Sequence, residues 1–139
     1  TDPPAPAPTS PPPTDPPAPP PTDPPAPQTR TGECLVGGIA WINNARAQAG
    51  VPPISQAGAG SACQQSRNQA QAGSMFHAGG PCGREIVAYA SNGWNPLPGA
   101  WLASPGHYNI VVSPQTASGS GAYVQNLETG FWYGTGHFC

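Results

Sequence analysis

Residues 29–139 predict an α+β domain in which helices cover an antiparallel sheet. Two segments with apolar residues at helical spacing come first, and short strand-like runs follow them. The last two of these runs flank a turn and therefore predict a hairpin. The preceding residues 1–28 hold 15 of the 22 prolines and form a separate tail. The chain is thus divided into a proline-rich tail, 1–28, and a globular domain, 29–139.

Two helices are predicted at the start of the domain. The first runs from Thr31, as its N-cap, to about Ala49, where Gly50 and two prolines stop it. Its apolar stripe is Leu35, Ile39, Ile42, Ala45 and Ala49. The second runs from Ser55, again as N-cap, to about Ala72. Its stripe consists of small residues, which favour close packing: Ala59, Ala62, Cys63, Ser66 and Ala70.

The rest of the domain predicts strands around one short helix. Residues 85–90 predict a strand, and Asn95 with Pro96 begins a short helix that Pro105 ends. The apolar run 110–112 predicts a further strand. The closing hairpin is predicted from two runs around a turn at 127–129: 121–126 and 130–138.

The tail repeats the sequence TDPPAP three times, at 1–6, 14–19 and 22–27. Proline fixes φ and removes the amide donor, so the tail is predicted to form a polyproline II helix. Hydroxyl residues between the prolines are typical of an O-glycosylated stalk. The candidate glycosylation residues are Thr1, Thr9, Ser10, Thr14 and Thr22. The tail is either a plain spacer or a glycan-bearing arm that supports self-assembly.

Charge and cysteine content narrow the class of protein. The chain has no lysine and only four arginines, so it offers no basic patch to a nucleic acid. No apolar stretch is long enough to span a membrane. The chain begins at Thr1 rather than at methionine, as expected of a mature chain after removal of its signal peptide.

The four cysteines predict two disulfides and an extracytoplasmic location. Their spacings are wide and match no zinc motif: Cys34, Cys63, Cys82 and Cys139. Three pairings are open. We favour Cys63–Cys82 with Cys34–Cys139, because the second bridge would join the two ends of the domain.

Five stretches occur in a fixed order through residues 34–139: INNARAQAGVPPI (42–54), MFHAGG (75–80), CGREIVAY (82–89), AWLASPGHYNIVV (100–112) and GAYVQNLETGFWYGTGHF (121–138). Together they resemble the CAP superfamily, also called the SCP or pathogenesis-related-1 family. The resemblance implies a three-layer α-β-α sandwich around an antiparallel sheet and an extracellular or cell-surface location.

The cleft of that family usually carries two histidines and two glutamates. The resemblance places His77 and His107 at the histidine positions, Arg84 at the first glutamate position and Ser104 at the second. A shift of one residue would instead place Glu85 at the first. Zinc usually needs three protein ligands, so zinc at His77 and His107 is an option and no cofactor is required. The alternative is a cleft that binds an anion through the arginine, the serine and both histidines.

Several of these residues also have a purely structural interpretation. His107 could hold the Ser-Pro-Gly turn instead of lining a cleft, and His137 is predicted to be structural or exposed. Glu85 is predicted to pair with an arginine. Ser104 lies three residues from a histidine, but no acidic partner accompanies it, which argues against a serine hydrolase. The aromatic residues are assigned mainly to the core and the sheet, whereas Trp94 could contact sugar or lipid.

These observations favour a secreted, non-enzymatic protein with a structural or interaction role. Its partners would be glycans on the tail and further copies of the chain. The alternative is a module that binds a small ligand, either a lipid or sterol or an anion. A metal-dependent hydrolase is the third option.

Overall fold

The computed structural model describes residues 2–19 and 30–139. Its regular elements, in chain order, are β1 (Leu35–Gly37), α1 (Ile39–Gln48), β2 (Ser55–Gln56), α2 (Ala59–Ala72), β3 (Arg84–Ala90), α3 (Pro96–Ala103), α4 (Pro105–Val111), β4 (Ser118–Gln125) and β5 (Trp132–Phe138). The main strand order is β1-β4-β5-β3, with antiparallel pairing throughout. Only the two-residue β2 runs parallel to its neighbour β4. The predicted α+β class with an antiparallel sheet is confirmed.

Helices lie on both faces of this sheet. Tyr123 in β4 packs with Ile42 of α1, Trp101 of α3 and Val111 of α4 in the larger core. Its neighbour Val124 points to the opposite face and packs with Ala70 of α2. Successive residues of a strand face opposite sides of a sheet, so the alternation along β4 divides the core between the two helical layers.

Glycines in β5 allow α3 to lie close to the sheet. A Cβ atom at Gly134 would lie 2.9 Å from Leu97 Cδ1 and 3.0 Å from the ring of Trp101. Both side chains are almost fully buried, so neither can move into open space. The absence of a side chain at this position is therefore a requirement of the helix–sheet packing.

We expect Gly134→Val to lower the free energy of unfolding by about 2 kcal/mol, because overpacking displaces buried side chains. Urea-induced unfolding followed by circular dichroism measures this loss. The matched control is Gly99→Ala on α3, where an added Cβ meets nothing within 4 Å. That control should keep or slightly raise stability, and an equal loss in both variants would contradict the packing argument.

The predicted helix starts were wrong. α1 begins after Gly38, whose φ is 112°, and α2 begins after Gly58, whose φ is 86°. Thr31, predicted as a cap, pairs with Asn126 instead, and Ser55 lies in β2. Each helix is entered from a strand through a left-handed glycine, and this leaves no place for a side-chain cap.

The later elements were predicted more closely. The strand at 85–90, the short helix before Pro105 and the closing hairpin are confirmed, with β4 starting three residues earlier than predicted. The predicted strand at 110–112 was wrong, because these residues continue and end α4. Pro105 ends one helix and occupies the first turn of the next, where its missing N–H costs nothing.

All four cysteines form disulfides, but the favoured pairing was wrong. The bridges are Cys34–Cys63 and Cys82–Cys139. Arg84 pairs with Phe138 at the end of the β3–β5 ladder, which brings the flanking Cys82 and Cys139 together. The first bridge joins the segment before β1 to the first half of α2. Each bridge therefore closes its own section of the chain.

The tail residues 2–19 carry no helix or strand and are all exposed. Thr9, Ser10 and Thr14 lie in this exposed segment, whereas Thr1 and Thr22 lie outside the described residues. The polyproline II conformation of the tail stays a prediction. Among the described residues, no helix has the length and apolar character needed to cross a membrane.

Candidate functional site

A buried carboxylate forms the centre of the candidate site. Glu85 in β3 lies directly opposite His137 in β5, on the face of the sheet that α2 covers. The side chain of Glu85 is 1% exposed and that of His137 is 3% exposed. The third member, His77, lies in the segment after α2, and its side chain is 60% exposed. The group thus extends from the interior to the surface.

Both oxygens of Glu85 accept hydrogen bonds. Oε1 lies 3.0 Å from His77 Nδ1 and accepts the backbone N–H groups of Ala78 (2.8 Å) and Gly79 (3.2 Å). Oε2 lies 2.6 Å from His137 Nε2. Burial raises the pKa of Glu85, but the bonds from His137, the two amides and His77 outweigh it, so that its pKa lies below the ordinary value. The ionised carboxylate only accepts, so both histidine nitrogens that face it carry hydrogen.

The hydrogen-bonded chain continues to the surface through a serine. Ser61 Oγ, in the first turn of α2, lies 2.7 Å from His137 Nδ1 and 3.0 Å from the carbonyl of Gly58. In a neutral ring that carries hydrogen on Nε2, Nδ1 accepts the hydroxyl of Ser61. Serine, histidine and carboxylate are therefore linked in one row. Ser61 and His137 line an open cleft of about 350 Å³.

A glycine makes room for this row. A Cβ atom at Gly80, whose φ is 67°, would lie 2.8 Å from the ring of His137. The loop between α2 and β3 therefore closes over the histidine only because it carries glycine there. His137 is buried rather than exposed, and its hydrogen bonds to Glu85 and Ser61 were not predicted from the sequence. It is the pairing of β3 with β5 that brings His137 to Glu85, and the register of that pairing cannot be read from the sequence.

His107 in α4 is the second histidine that the resemblance placed in the cleft. Its Nδ1 is buried and has no hydrogen-bond partner among the described residues. Burial lowers the pKa of His107, and charge on His77 lowers it further. That His77 and His107 share one cleft, as the resemblance implies, stays a prediction.

The donor set does not fit a resident zinc ion. Within residues 2–19 and 30–139, no three His, Cys, Asp or Glu side chains are grouped for a metal. Both oxygens of Glu85 already accept hydrogen bonds, so Glu85 is not free to act as a metal ligand. His77 and His107 would then supply only two imidazoles, fewer ligands than zinc sites use.

Arg84 and Ser104 take other partners. The guanidinium of Arg84 donates to Thr116 Oγ1 at 3.0 Å and to Gln115 Oε1 at 3.2 Å. Ser104 immediately precedes α4, and its carbonyl accepts the amide of Tyr108. The prediction that Glu85 pairs with an arginine was wrong, because histidines occupy both of its oxygens. Arg84 instead points to the opposite face of β3.

A second feature is an open groove of about 490 Å³, here called the aromatic groove. It is lined by Gly73, Ser74, Met75, Tyr89, Thr129, Phe131 and Tyr133. The ring of Tyr89 lies 6.0 Å from that of Phe131 and 6.2 Å from that of Tyr133, measured between centroids. Tyr89 is 55% exposed. Trp94, for which a sugar or lipid contact was the alternative to a core position, is partly buried and stacks on Tyr123 of the core.

Comparisons with known proteins identify a similar fold but no family for this chain. No protein-family model and no curated protein matches the chain. Among solved structures, the chain is similar to an outer surface protein from Borrelia burgdorferi, with a TM-score of 0.54 and 14% sequence identity. The match covers 72% of this chain and 86% of that chain. At this identity the likeness concerns the fold alone.

Proposed function

We propose that the chain is a secreted surface protein with a structural, non-enzymatic role, in which the proline-rich tail joins a CAP-like three-layer domain to other copies or to a surface. The observation that carries this proposal is the union of a doubly disulfide-bonded domain with an exposed, repetitive tail. Disulfides persist in oxidising compartments, which is compatible with an extracellular or surface location. The helices on both faces of the sheet support the CAP-like arrangement.

The test compares the native protein with a tail variant in which the prolines of 1–28 are replaced by serine. We expect the native chain to form oligomers in sedimentation velocity and filaments in electron micrographs, and the variant to remain monomeric. Intact mass above the 14.1 kDa of the polypeptide would show sugars on the tail. A native chain that stays monomeric at high concentration would overturn the assembly role.

The row Ser61–His137–Glu85 favours a second candidate function, hydrolysis of an acyl bond. Ser61 Oγ would bond to the acyl carbon while its proton passes to His137 Nδ1 and then to the leaving group. Water would then release the acyl group. The ionised Glu85 holds the ring in the required tautomer, and the first turn of α2 presents N–H groups that no side chain caps.

A fluorophosphonate probe tests this second function directly. If it operates, the probe labels the native chain at Ser61, and Ser61→Ala abolishes labelling. Ser104→Ala is the matched control. Ser104 lies three residues before His107 in the sequence, but it belongs to no hydrogen-bonded row of serine, histidine and carboxylate. Absence of labelling in the folded native chain would leave the row as a structural link between α2 and the sheet.

A further inference from the structure

We propose that the aromatic groove binds a TDPPAP repeat from the tail of a second copy of this chain. This inference rests on the proposed assembly role and names the site that performs it. The occupant is chosen because the chain itself carries three copies of a ligand whose chemistry matches the groove. The chemistry of the repeat, the lining of the groove and the point where the tail leaves the domain each support this choice.

Each TDPPAP repeat contains two prolines three residues apart: Pro3 and Pro6, Pro16 and Pro19, Pro24 and Pro27. A polyproline II helix has three residues per turn and rises about 3.1 Å per residue, so these two rings lie on one face roughly 9 Å apart. Such PxxP segments bind grooves lined by aromatic side chains, since the helix is formed in advance and loses little entropy. Prolines offer carbonyl acceptors and no N–H donors.

The groove supplies what this ligand lacks. Tyr89 and the half-buried Phe131 present neighbouring rings whose centroids lie 6.0 Å apart, so that proline rings can lie against them, and the buried Tyr133 stacks with Tyr89. The hydroxyls of Tyr89, Ser74 and Thr129 can donate to the free carbonyls of the tail. Met75, which is 45% exposed, adds an adaptable apolar wall.

The tail leaves the domain beside the groove. The carbonyl of Arg30 accepts the amide of Leu127, and Thr31 pairs with Asn126, in the same turn that carries Thr129 and Phe131. Extended, the 28 tail residues would reach roughly 85 Å, well beyond a compact domain with a radius of gyration of about 13 Å. Residues 2–19 are all exposed, and none of them lines the groove. A tail of this reach can enter the groove of a neighbouring copy.

The consequence for assembly is a head-to-tail contact. A tail seated in the groove of the next domain ends beside the point where the next tail begins. Contacts between two different surfaces of identical copies produce rings or open filaments rather than closed dimers. All copies in such a filament would therefore point in the same direction.

The test titrates a synthetic peptide of residues 1–19, without sugars, into the full chain at a concentration where the chain is monomeric. Isothermal titration calorimetry gives the affinity. We expect Tyr89→Ala to weaken binding at least about tenfold, Tyr89→Phe to retain most of it, and the matched control Tyr108→Ala on α4 to leave it unchanged. A second peptide carries alanine at the paired positions Pro3, Pro6, Pro16 and Pro19. It should bind the native chain no more tightly than the unaltered peptide binds the Tyr89→Ala variant. Circular dichroism confirms that each variant is folded.

Three outcomes would overturn the inference. The peptide could bind with an affinity that Tyr89→Ala does not change, while the native chain still assembles through its tail. In that case the groove is wrong and the assembly role stands. The groove could bind oligosaccharide or lipid vesicles in a manner that depends on Tyr89, and not the peptide. Finally, neither peptide binding nor assembly could occur, in which case the proposed function fails together with the site.

Discussion

Replacing Cys82 and Cys139 by serine is expected to lower the free energy of unfolding by about 4 kcal/mol. This bridge joins residues 57 positions apart and so restricts a long loop of the unfolded chain. In the folded chain it closes the end of the β3–β5 ladder, where Arg84 lies opposite Phe138. The carbonyl of Cys139 also accepts the amides of Ala117 and Ser118, so the bridge fixes the segment that enters β4.

Urea-induced unfolding of the oxidised native chain and of the double variant measures this effect. The matched control replaces Cys34 and Cys63, which enclose the shorter separation of 29 residues and should cost somewhat less, about 3.6 kcal/mol. Reductant should lower the stability of the native chain towards that of a variant lacking both bridges. A loss below about 1 kcal/mol would mean that strand pairing alone holds the chain end.

Glu85→Gln is expected to destabilise the domain by about 3 kcal/mol at neutral pH. The substitution keeps the size of the side chain but replaces one acceptor with an NH₂ group, which then faces donors from a histidine or from the loop amides. Leaving buried groups of a charged network without partners is costly. Glu128→Gln is the matched control, because Glu128 is exposed in a turn. This variant should change the free energy of unfolding by no more than about 0.5 kcal/mol.

The same variant should show a distinct dependence on pH. The pKa of Glu85 in the folded chain lies below its ordinary value of 4.5, so the native state binds this proton less readily than the unfolded state. Its contribution is therefore complete above about pH 5 and is lost as pH falls below 4.5. Denaturation curves at several pH values should show the gap between native chain and variant closing in that range. A gap that stays constant down to about pH 3 would contradict the ionised network.

The elements that depend on local sequence pattern could be predicted. Those that depend on contacts with distant parts of the chain could not. The short helix before Pro105 and the closing hairpin follow from proline positions and turn residues. Helix starts at Gly38 and Gly58 were missed, since a threonine or serine earlier in the chain offered a plausible cap. The run 110–112 favours a strand by propensity, but packing on the sheet holds it in α4.

The candidate site shows the same division. The resemblance pointed to His77, His107 and the neighbourhood of Glu85, whereas Ser61 and His137 were not connected to them. His137 lies 52 residues from Glu85, and only the strand register makes them neighbours. Arg46 is a further example, because burial lowers its pKa and its guanidinium donates to the carbonyls of Pro52 and Val111, which no pattern indicates.

The position of the Cys34–Cys63 bridge determines how the domain responds to mechanical load on its tail. A pull on the tail first acts on Arg30 and Thr31, which a few backbone bonds hold to the turn after β4. Cys34 lies four residues beyond Arg30, and its disulfide transmits the force directly to Cys63 in α2. The segment between the two cysteines, which contains β1 and α1, therefore carries none of the load. Peeling of the chain therefore stops almost at once. Tension applied to the tail is therefore not expected to unravel the fold from its N-terminal end.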